Sequence, residues 1–160
     1  MTILNTDLSA EDIPQDVREI MQSAGARNVD VSGPTAAVAL SGAPLRTGQT
    51  ITYQATLTPG SAPTQADIYL WALLPDGITF VSLVQASPGG AISMVLGPSS
   101  VPFRAGATLS SMTVPFSYTF TGSEPAGTYL AYAGLVTAGT DPLQPMNRLS
   151  LAVQPFQFTP

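Results

Sequence analysis

Residues 49–58 alternate strictly between apolar and polar side chains. Ile51, Tyr53, Ala55 and Leu57 fall on one side of this alternation, and threonine or glutamine occupies the positions between them. Successive side chains of a β-strand point to opposite faces, so this pattern is typical of a strand with one buried face. A helix would instead repeat its apolar side chains every three or four residues. The pattern therefore predicts strands that each bury one face.

Seven further short apolar runs are separated by turns rich in proline and glycine. They cover residues 35–41, 67–74, 78–84, 91–96, 112–120, 128–136 and 149–158. Seven or eight short strands at this spacing predict an all-β, antiparallel β-sandwich over residues 31–160. A closed barrel is the alternative, but the uneven strand lengths and the proline-rich loops favour the sandwich. Pro155 predicts a sheet edge for the last strand, because proline cannot donate to a ladder.

Residues 1–30 form an acidic N-terminal arm with a different pattern. The first 32 residues carry six acidic side chains and two arginines, a net charge of −4 out of the −5 of the whole chain. Asp12, Pro14 and Gln15 predict the start of a short amphipathic helix. Its apolar stripe consists of Ile13, Val17, Ile20 and Met21. A helix of about three turns is marginal alone, so we expect the stripe either to cover its own sandwich or to dock on another subunit.

The chain contains no cysteine, histidine or lysine, and its only basic side chains are five arginines. Ser-His-Asp and Cys-His catalysis therefore lack their general base, and thiolate or imidazole metal sites are excluded. The four acidic residues of the predicted sandwich lie far apart in sequence, and no calcium-loop pattern is present. We assign no catalytic residue, no cofactor and no metal ligand, and we expect no enzyme.

Charge and hydropathy also restrict the partners. A net charge of −5 argues against nucleic acid, whose phosphates require clustered basic side chains. No window approaches the ~20 apolar residues of a membrane helix. The first residues carry neither the basic region nor the apolar run of a secretory signal, so we expect no signal peptide.

Several segments after residue 35 resemble a known kind of module. They are DIYLWALLPDG at 67–77, YTFTGSEPAGTY at 118–129, LVTAGTDP at 135–142 and PFQFTP at 155–160. Together they resemble the C-terminal immunoglobulin-like β-sandwich modules of bacterial surface and secreted proteins, over roughly residues 35–160. The resemblance implies a structural or adhesive role without catalytic residues. Gly127-Thr128-Tyr129 is also similar to the tyrosine corner of immunoglobulin-like sandwiches, which implies that Tyr129 packs in the core and bonds to upstream backbone.

Tyr69 and Trp71 lie on one face of the run 67–74, and Ile68 and Leu70 lie on the other. Since both faces are apolar, we expect one of them to meet the core of the sandwich. The other face is then covered by the N-terminal helix, a loop or another subunit. An exposed aromatic platform that binds carbohydrate is the alternative.

The predicted sandwich carries few charges and no lysine that would protect strand edges from pairing with other strands. Such a surface suits a protein whose surface is buried against other molecules when it functions. We expect a non-enzymatic structural or assembly protein, an immunoglobulin-like module that decorates a virion or forms part of a surface appendage. The alternative is an adhesive or carbohydrate-binding module of a secreted bacterial surface protein. The expected partners are protein subunits in a homo- or hetero-oligomer, located in a virion or at an extracellular surface.

Overall fold

A computed structural model describes residues 33–42 and 44–160 of the chain. Within these residues there are ten β-strands, a 3-10 turn at Pro145–Asn147 and no α-helix, and hence no helix that could cross a membrane. The strands are β1 (Thr35–Ser41), β2 (Leu45–Arg46), β3 (Thr50–Thr58), β4 (Gln65–Leu73), β5 (Phe80–Gln85), β6 (Ile92–Gly97), β7 (Arg104–Thr108), β8 (Met112–Thr119), β9 (Gly127–Thr137) and β10 (Arg148–Thr159). The predicted N-terminal helix, with Ile13, Val17, Ile20 and Met21, lies outside the described residues.

The strands form two sheets, and the predicted all-β class is confirmed. One sheet contains β1, β3 and β8 in that order, all antiparallel. The other sheet has the order β2-β10-β9-β4-β5-β6. β9 follows one edge of β4 from Ala66 to Leu73. β7 and β5 share the other edge, β7 beside the first half of β4 and β5 beside its last three residues.

Two details of the predicted sandwich are wrong. The described residues contain ten strands rather than seven or eight, because Leu45–Arg46 and Arg104–Thr108 also form ladders. The strands are not all antiparallel, since β2 runs parallel to β10. These two strands have only two and five residues, which is too short for a readable alternation. They pair because β10 and β4 offer them free edge positions.

The chain changes sheets between β1 and β2. β1 pairs with β3 in the three-stranded sheet, and β2 pairs with β10 in the other. Gly42 lies at this crossing with a φ of 99°, and a Cβ at this position would lie 2.5 Å from the carbonyl oxygen of Thr50. Such a φ and such a close approach are available only to glycine.

One hydrophobic core fills the space between the sheets. The three-stranded sheet contributes Ile51, Tyr53, Ala55, Leu57 and Val114, and the larger sheet contributes Ile68, Leu70, Leu83, Tyr129, Ala131, Ala133, Leu135, Phe156 and Phe158. Two hydrogen bonds join the layers directly. The Tyr53 hydroxyl donates to the carbonyl oxygen of Tyr132 at 2.8 Å, and the Ala36 N–H donates to Ser150 Oγ at 3.0 Å. The second bond closes the sandwich between β1 and β10.

The opposite side of the sandwich is not closed in the same way. The three-stranded sheet ends at β8, whereas the larger sheet continues beyond β4 through β5 and β6. Cross-strand pairing sets Leu83 beside Met94 and Val81 beside Leu96 on the inner face of these two strands. Leu96 remains 62% exposed, because the smaller sheet does not extend far enough to cover it.

Candidate functional site

A row of exposed apolar side chains accompanies β10 and the connection before it. The described residues contain nine exposed large hydrophobic side chains, and five of them fall within residues 143–153. We name these five the apolar row, which consists of Leu143, Met146, Leu149, Leu151 and Val153. Scattered exposed hydrophobic residues need no explanation, but a concentration of them is typical of an interaction surface.

The apolar row coincides with a free strand edge. β10 pairs with β9 along one edge, while β2 covers the other edge only at Phe158 and Thr159. Within the described part of the chain no strand forms a ladder with residues 148–157 on that edge, and β1 meets β10 through the bond from the Ala36 N–H to Ser150 Oγ. Edges of this kind can pair with strands of other molecules, and charges, prolines and bulges limit such pairing. The ladder of β10 with β9 is irregular between Arg148 and Ser150 and regular from Ser150 to Phe158. Pro155 lies within this stretch, where its missing N–H is tolerated.

Arg148 is the one charged side chain inside the segment 143–153, and it is already engaged. Its guanidinium donates to the carbonyl oxygens of Pro142 at 2.9 Å and Leu143 at 3.3 Å. Asp141 accepts a hydrogen bond from the Leu143 N–H at 2.9 Å and thereby fixes the same turn. The connection before β10 is held by its own hydrogen bonds, so the apolar row is presented on a defined backbone.

Tyr69 and Trp71 lie on the outer face of the larger sheet, on the same face as part of the apolar row. Tyr69 and Leu151 are both paired with Gly134, and Trp71 and Val153 are both paired with Tyr132. The Trp71 ring contacts Tyr69, Phe80 and Tyr132, with centroid distances of 5.6, 5.9 and 5.1 Å. These aromatic rings, with Leu151 and Val153, make this part of the outer face predominantly apolar.

The aromatic pair does not form an open platform. Tyr69 is 6% exposed and Trp71 is 5% exposed, so neither ring offers a face on which a sugar could stack. The Trp71 Nε1–H is a buried donor without a hydrogen-bond partner among the described residues. Leaving such a donor unpaired is costly. The pair therefore contributes to packing on this face, and carbohydrate binding by it draws no support from the geometry.

Tyr129 lies at the start of β9 and is buried against aromatic neighbours. Its hydroxyl donates to the carbonyl oxygen of Pro125 at 2.7 Å, and its ring stacks on Phe156 at 5.0 Å. Burial, followed by the negative charge of Glu124, raises the pKa of Tyr129 to about 12. The hydroxyl therefore remains protonated and able to donate throughout the physiological pH range.

We expect Tyr129→Phe to lower the free energy of unfolding by about 0.5–1.5 kcal/mol, the net contribution of one hydrogen bond. The ring and its stacking on Phe156 are retained in this variant, so only the bond to Pro125 is lost. Urea unfolding followed by circular dichroism measures the change. A variant as stable as the parent chain would show that this bond does not contribute to stability.

Glu124 organises the turn before β9. Its carboxylate accepts from the Tyr118 hydroxyl at 2.6 Å, the Thr121 N–H at 3.0 Å and the Gly122 N–H at 2.9 Å. Burial alone would raise the pKa of this carboxyl, but the hydrogen bonds outweigh it and lower the pKa of Glu124 to about 2. The bond to Glu124, with burial, raises the pKa of Tyr118 to about 12. The pair is thus a carboxylate bound by a neutral phenol.

A cleft of about 340 Å³ opens between the sheets on the side where they differ in width. Most of its lining is aliphatic or aromatic: Leu40, Ile51, Tyr53, Ala72, Leu74, Val81, Leu83, Met94, Leu96, Phe116, Tyr118, Phe120, Tyr129, Ala131 and Phe156. Trp71, Ser123, Glu124 and Pro125 also line the cleft. Its volume is within the usual range of small-molecule sites, about 300–1,000 Å³. The cleft depends on the order of strands in both sheets, so it could not be predicted from the sequence.

Asp67 is buried and links β7 to the turn after β9. It is 6% exposed, and its carboxylate accepts from the Gly106 N–H at 2.7 Å and the Gly139 N–H at 3.0 Å. In the sequence Asp67 is one of the four acidic residues of the sandwich that lie far apart, so its two partners could not be predicted. Within residues 33–42 and 44–160, no group of three or more acidic, histidine or cysteine side chains comes together in a way that could hold a metal ion.

Fold and surface together describe an all-β, two-sheet domain with an apolar outer face. No family model matches the chain, and no curated protein matches it. One similar solved structure is the CARDB domain of the PF1109 protein from Pyrococcus furiosus in complex with di-metal ions, with 11% identity, a TM-score of 0.42, and coverage of 79% of this chain and 87% of that one.

A second similar structure is the alkylpurine DNA glycosylase AlkC of Pseudomonas fluorescens, bound to DNA containing an abasic site analogue. It has 12% identity and a TM-score of 0.38, and the match covers 99% of this chain and 42% of the glycosylase. This chain thus spans less than half of that enzyme. Likenesses at this level carry no inference about function.

Proposed function

We propose that this chain is a non-enzymatic structural module that associates with further protein subunits, in a virion or in an assembly at a cell surface. The observation that carries the proposal is the apolar row beside the unpaired edge of β10. Burying exposed apolar side chains stabilises association by roughly 25 cal/mol for each Å² removed from water. The low charge of this surface removes the usual electrostatic barrier to close contact.

The strand order supports an immunoglobulin-like description of the module. Variable-type immunoglobulin domains place strands A, B, E and D in one sheet and strands G, F, C, C′ and C″ in the other. Here β1, β3 and β8 form one sheet, and β10, β9, β4, β5 and β6 follow one another in the other. β7, which precedes β8 as D precedes E, departs from this order because it pairs with β4 in the larger sheet. The bond from Tyr129, the third residue of β9, to Pro125 resembles that of a tyrosine corner. Modules of this architecture commonly serve as structural units.

A second copy of the chain is the partner that this surface fits best. In a twofold-symmetric contact the same surface of each subunit meets itself. Two free β10 edges related in this way would pair their backbone groups as antiparallel strands, which is a known mode of recognition. Leu151 and Val153 on the outer face of each sheet would then lie close to their counterparts. One surface thus supplies both the backbone pairing and the apolar contact.

The test is the mass of the purified full chain by size-exclusion chromatography with light scattering. We expect a dimer or larger oligomer for the parent chain and a monomer for the double variant Leu151→Glu/Val153→Glu. Two glutamates would place four like charges at a twofold contact, where burying unpaired charge is strongly unfavourable.

Ile78→Glu is the matched control, because Ile78 is an exposed apolar residue that lies outside the apolar row. It should leave the mass unchanged, and circular dichroism should give the same spectrum for all three proteins. A parent chain that is monomeric at every concentration would contradict the proposal. An oligomer that survives the double variant would contradict the assignment of the contact to β10.

A further inference from the structure

The cleft between the sheets has the construction of a binding site rather than of a packing defect. Val81 and Leu83 of β5 form part of one wall, and Phe116 and Tyr118 of β8 form part of the other. An apolar cavity of about 150 Å³ is large enough to bind benzene. A volume of about 340 Å³ therefore accommodates an aliphatic chain or a fused ring system. The exposed side chain of Leu96 lines it, which gives a ligand access from solvent.

The tyrosine hydroxyls around the cleft are already engaged in hydrogen bonds. The Tyr53 hydroxyl donates to the carbonyl oxygen of Tyr132, and the Tyr129 hydroxyl donates to that of Pro125. The Tyr118 hydroxyl donates to the carboxylate of Glu124. A ligand therefore finds no free phenol donor and gains mainly from burial of apolar surface. A polar ligand would lose its hydrogen bonds to water without replacement.

The charge near the cleft selects further among apolar ligands. The only charged side chain among the described residues that line it is Glu124. Its carboxylate is ionised at neutral pH and its oxygens accept hydrogen bonds from the surrounding turn. No positive side chain in the lining could neutralise an anionic head group. The site thus disfavours carboxylate-bearing chains such as fatty acids.

We propose that this cleft binds a neutral apolar small molecule, an aliphatic chain or a fused aromatic ring, between the three-stranded sheet and the β5–β6 extension of the larger sheet. The apolar lining, the internal satisfaction of the tyrosine hydroxyls and the single negative charge all select for this class. The site lies on the inner face of the larger sheet, opposite to the outer face that carries Leu151 and Val153.

The direct test is a fluorescence titration of the full chain with N-phenyl-1-naphthylamine, a neutral fused-ring probe. We expect saturable binding at one site. Leu96→Asp should lower the affinity for the probe about tenfold or more, because it places a carboxylate in the apolar lining. Val95→Asp is the matched control. Val95 is adjacent on β6 and also partly exposed, but it shares the outer face with Ser82. Its substitution should leave the affinity unchanged.

Competition with decanol and decanoate tests the charge selection. Decanol should displace the probe, and decanoate should do so about fivefold less well or worse. Absence of saturable binding, or an equal loss in the Leu96→Asp and Val95→Asp variants, would overturn the proposal. Binding confined to the dissociated Leu151→Glu/Val153→Glu protein would also overturn it, because protein would then fill the cleft in the assembly.

Discussion

Gly42→Ala should lower the free energy of unfolding by about 3–5 kcal/mol, the largest effect we expect from a single methyl group in this chain. Gly42 has a φ of 99°, and the added Cβ would lie 2.5 Å from the carbonyl oxygen of Thr50. That oxygen belongs to the backbone of β3, which cannot move without disturbing its ladders with β1 and β8. Strain in φ and a backbone clash therefore act together.

Gly48→Ala separates these two contributions. Gly48 also has a positive φ, 84°, but a Cβ there would meet nothing within 4 Å. Gly48→Ala should lower the free energy of unfolding by only about 1–2 kcal/mol, the strain of a left-handed conformation. Asparagine tolerates such a φ better than alanine does, so Gly48→Asn should be milder still, whereas Gly42→Asn should remain severe. Urea midpoints measured by circular dichroism compare the four variants. Equal costs at both glycines would contradict the close approach.

The alternation of residues was sufficient to predict most of the fold. The run 49–58 corresponds to β3, and the run 112–120 corresponds to β8, because each strand buries only the face that meets the core. Ile68 and Leu70 enter the core while Tyr69 and Trp71 occupy the outer face, which is the separation that a period of two imposes. Local sequence carries this information because each strand chooses its faces independently of strand order.

The short strands and the parallel pair required information that local sequence does not contain. Leu45–Arg46 is a strand only because residues Phe158 and Thr159 lie beside it. Arg104–Thr108 contains Gly106 with a φ of 59° and no β-branched residue except its last. Its pairing depends on the half of the β4 edge that β5 leaves free. Tertiary context thus creates these strands against weak propensity.

The sequence carries a signal for part of the apolar row. Leu149, Leu151 and Val153 occupy odd positions, whereas Phe156 and Phe158 occupy even positions of the same strand. One strand cannot direct both sets to the same face, so one set had to be outside. The structure places the two phenylalanines in the core and leaves the other three exposed. The cleft left no comparable signal, since its walls come from strands far apart in the chain.

Asp67→Ala should lower the free energy of unfolding by about 2–4 kcal/mol. Hydrogen bonds to a charged acceptor contribute about 1.5–3 kcal/mol each, and Asp67 accepts two, from Gly106 and Gly139. Both glycines are themselves exposed, so water offsets part of the loss. Asp67→Asn should fall between the parent and the alanine variant, because its amide keeps one acceptor oxygen but turns an N–H group toward the other donor.

Asp76→Ala is the matched control for this prediction. Asp76 also accepts from two backbone N–H groups, those of Ile78 and Thr79, but it lies on an exposed turn. Asp76→Ala should therefore lower the free energy of unfolding less than Asp67→Ala does, because water replaces the hydrogen bonds of Asp76. Urea unfolding of the three variants checks the order, and an Asp76 variant as unstable as Asp67→Ala would contradict it.

Gly139 leads directly into the turn that Asp141 and Arg148 hold before the apolar row, so loss of the Asp67 bond should also loosen that turn. Faster amide hydrogen exchange at residues 139–147 in Asp67→Ala, but not in Asp76→Ala, would connect the buried carboxylate to the surface that we propose for association.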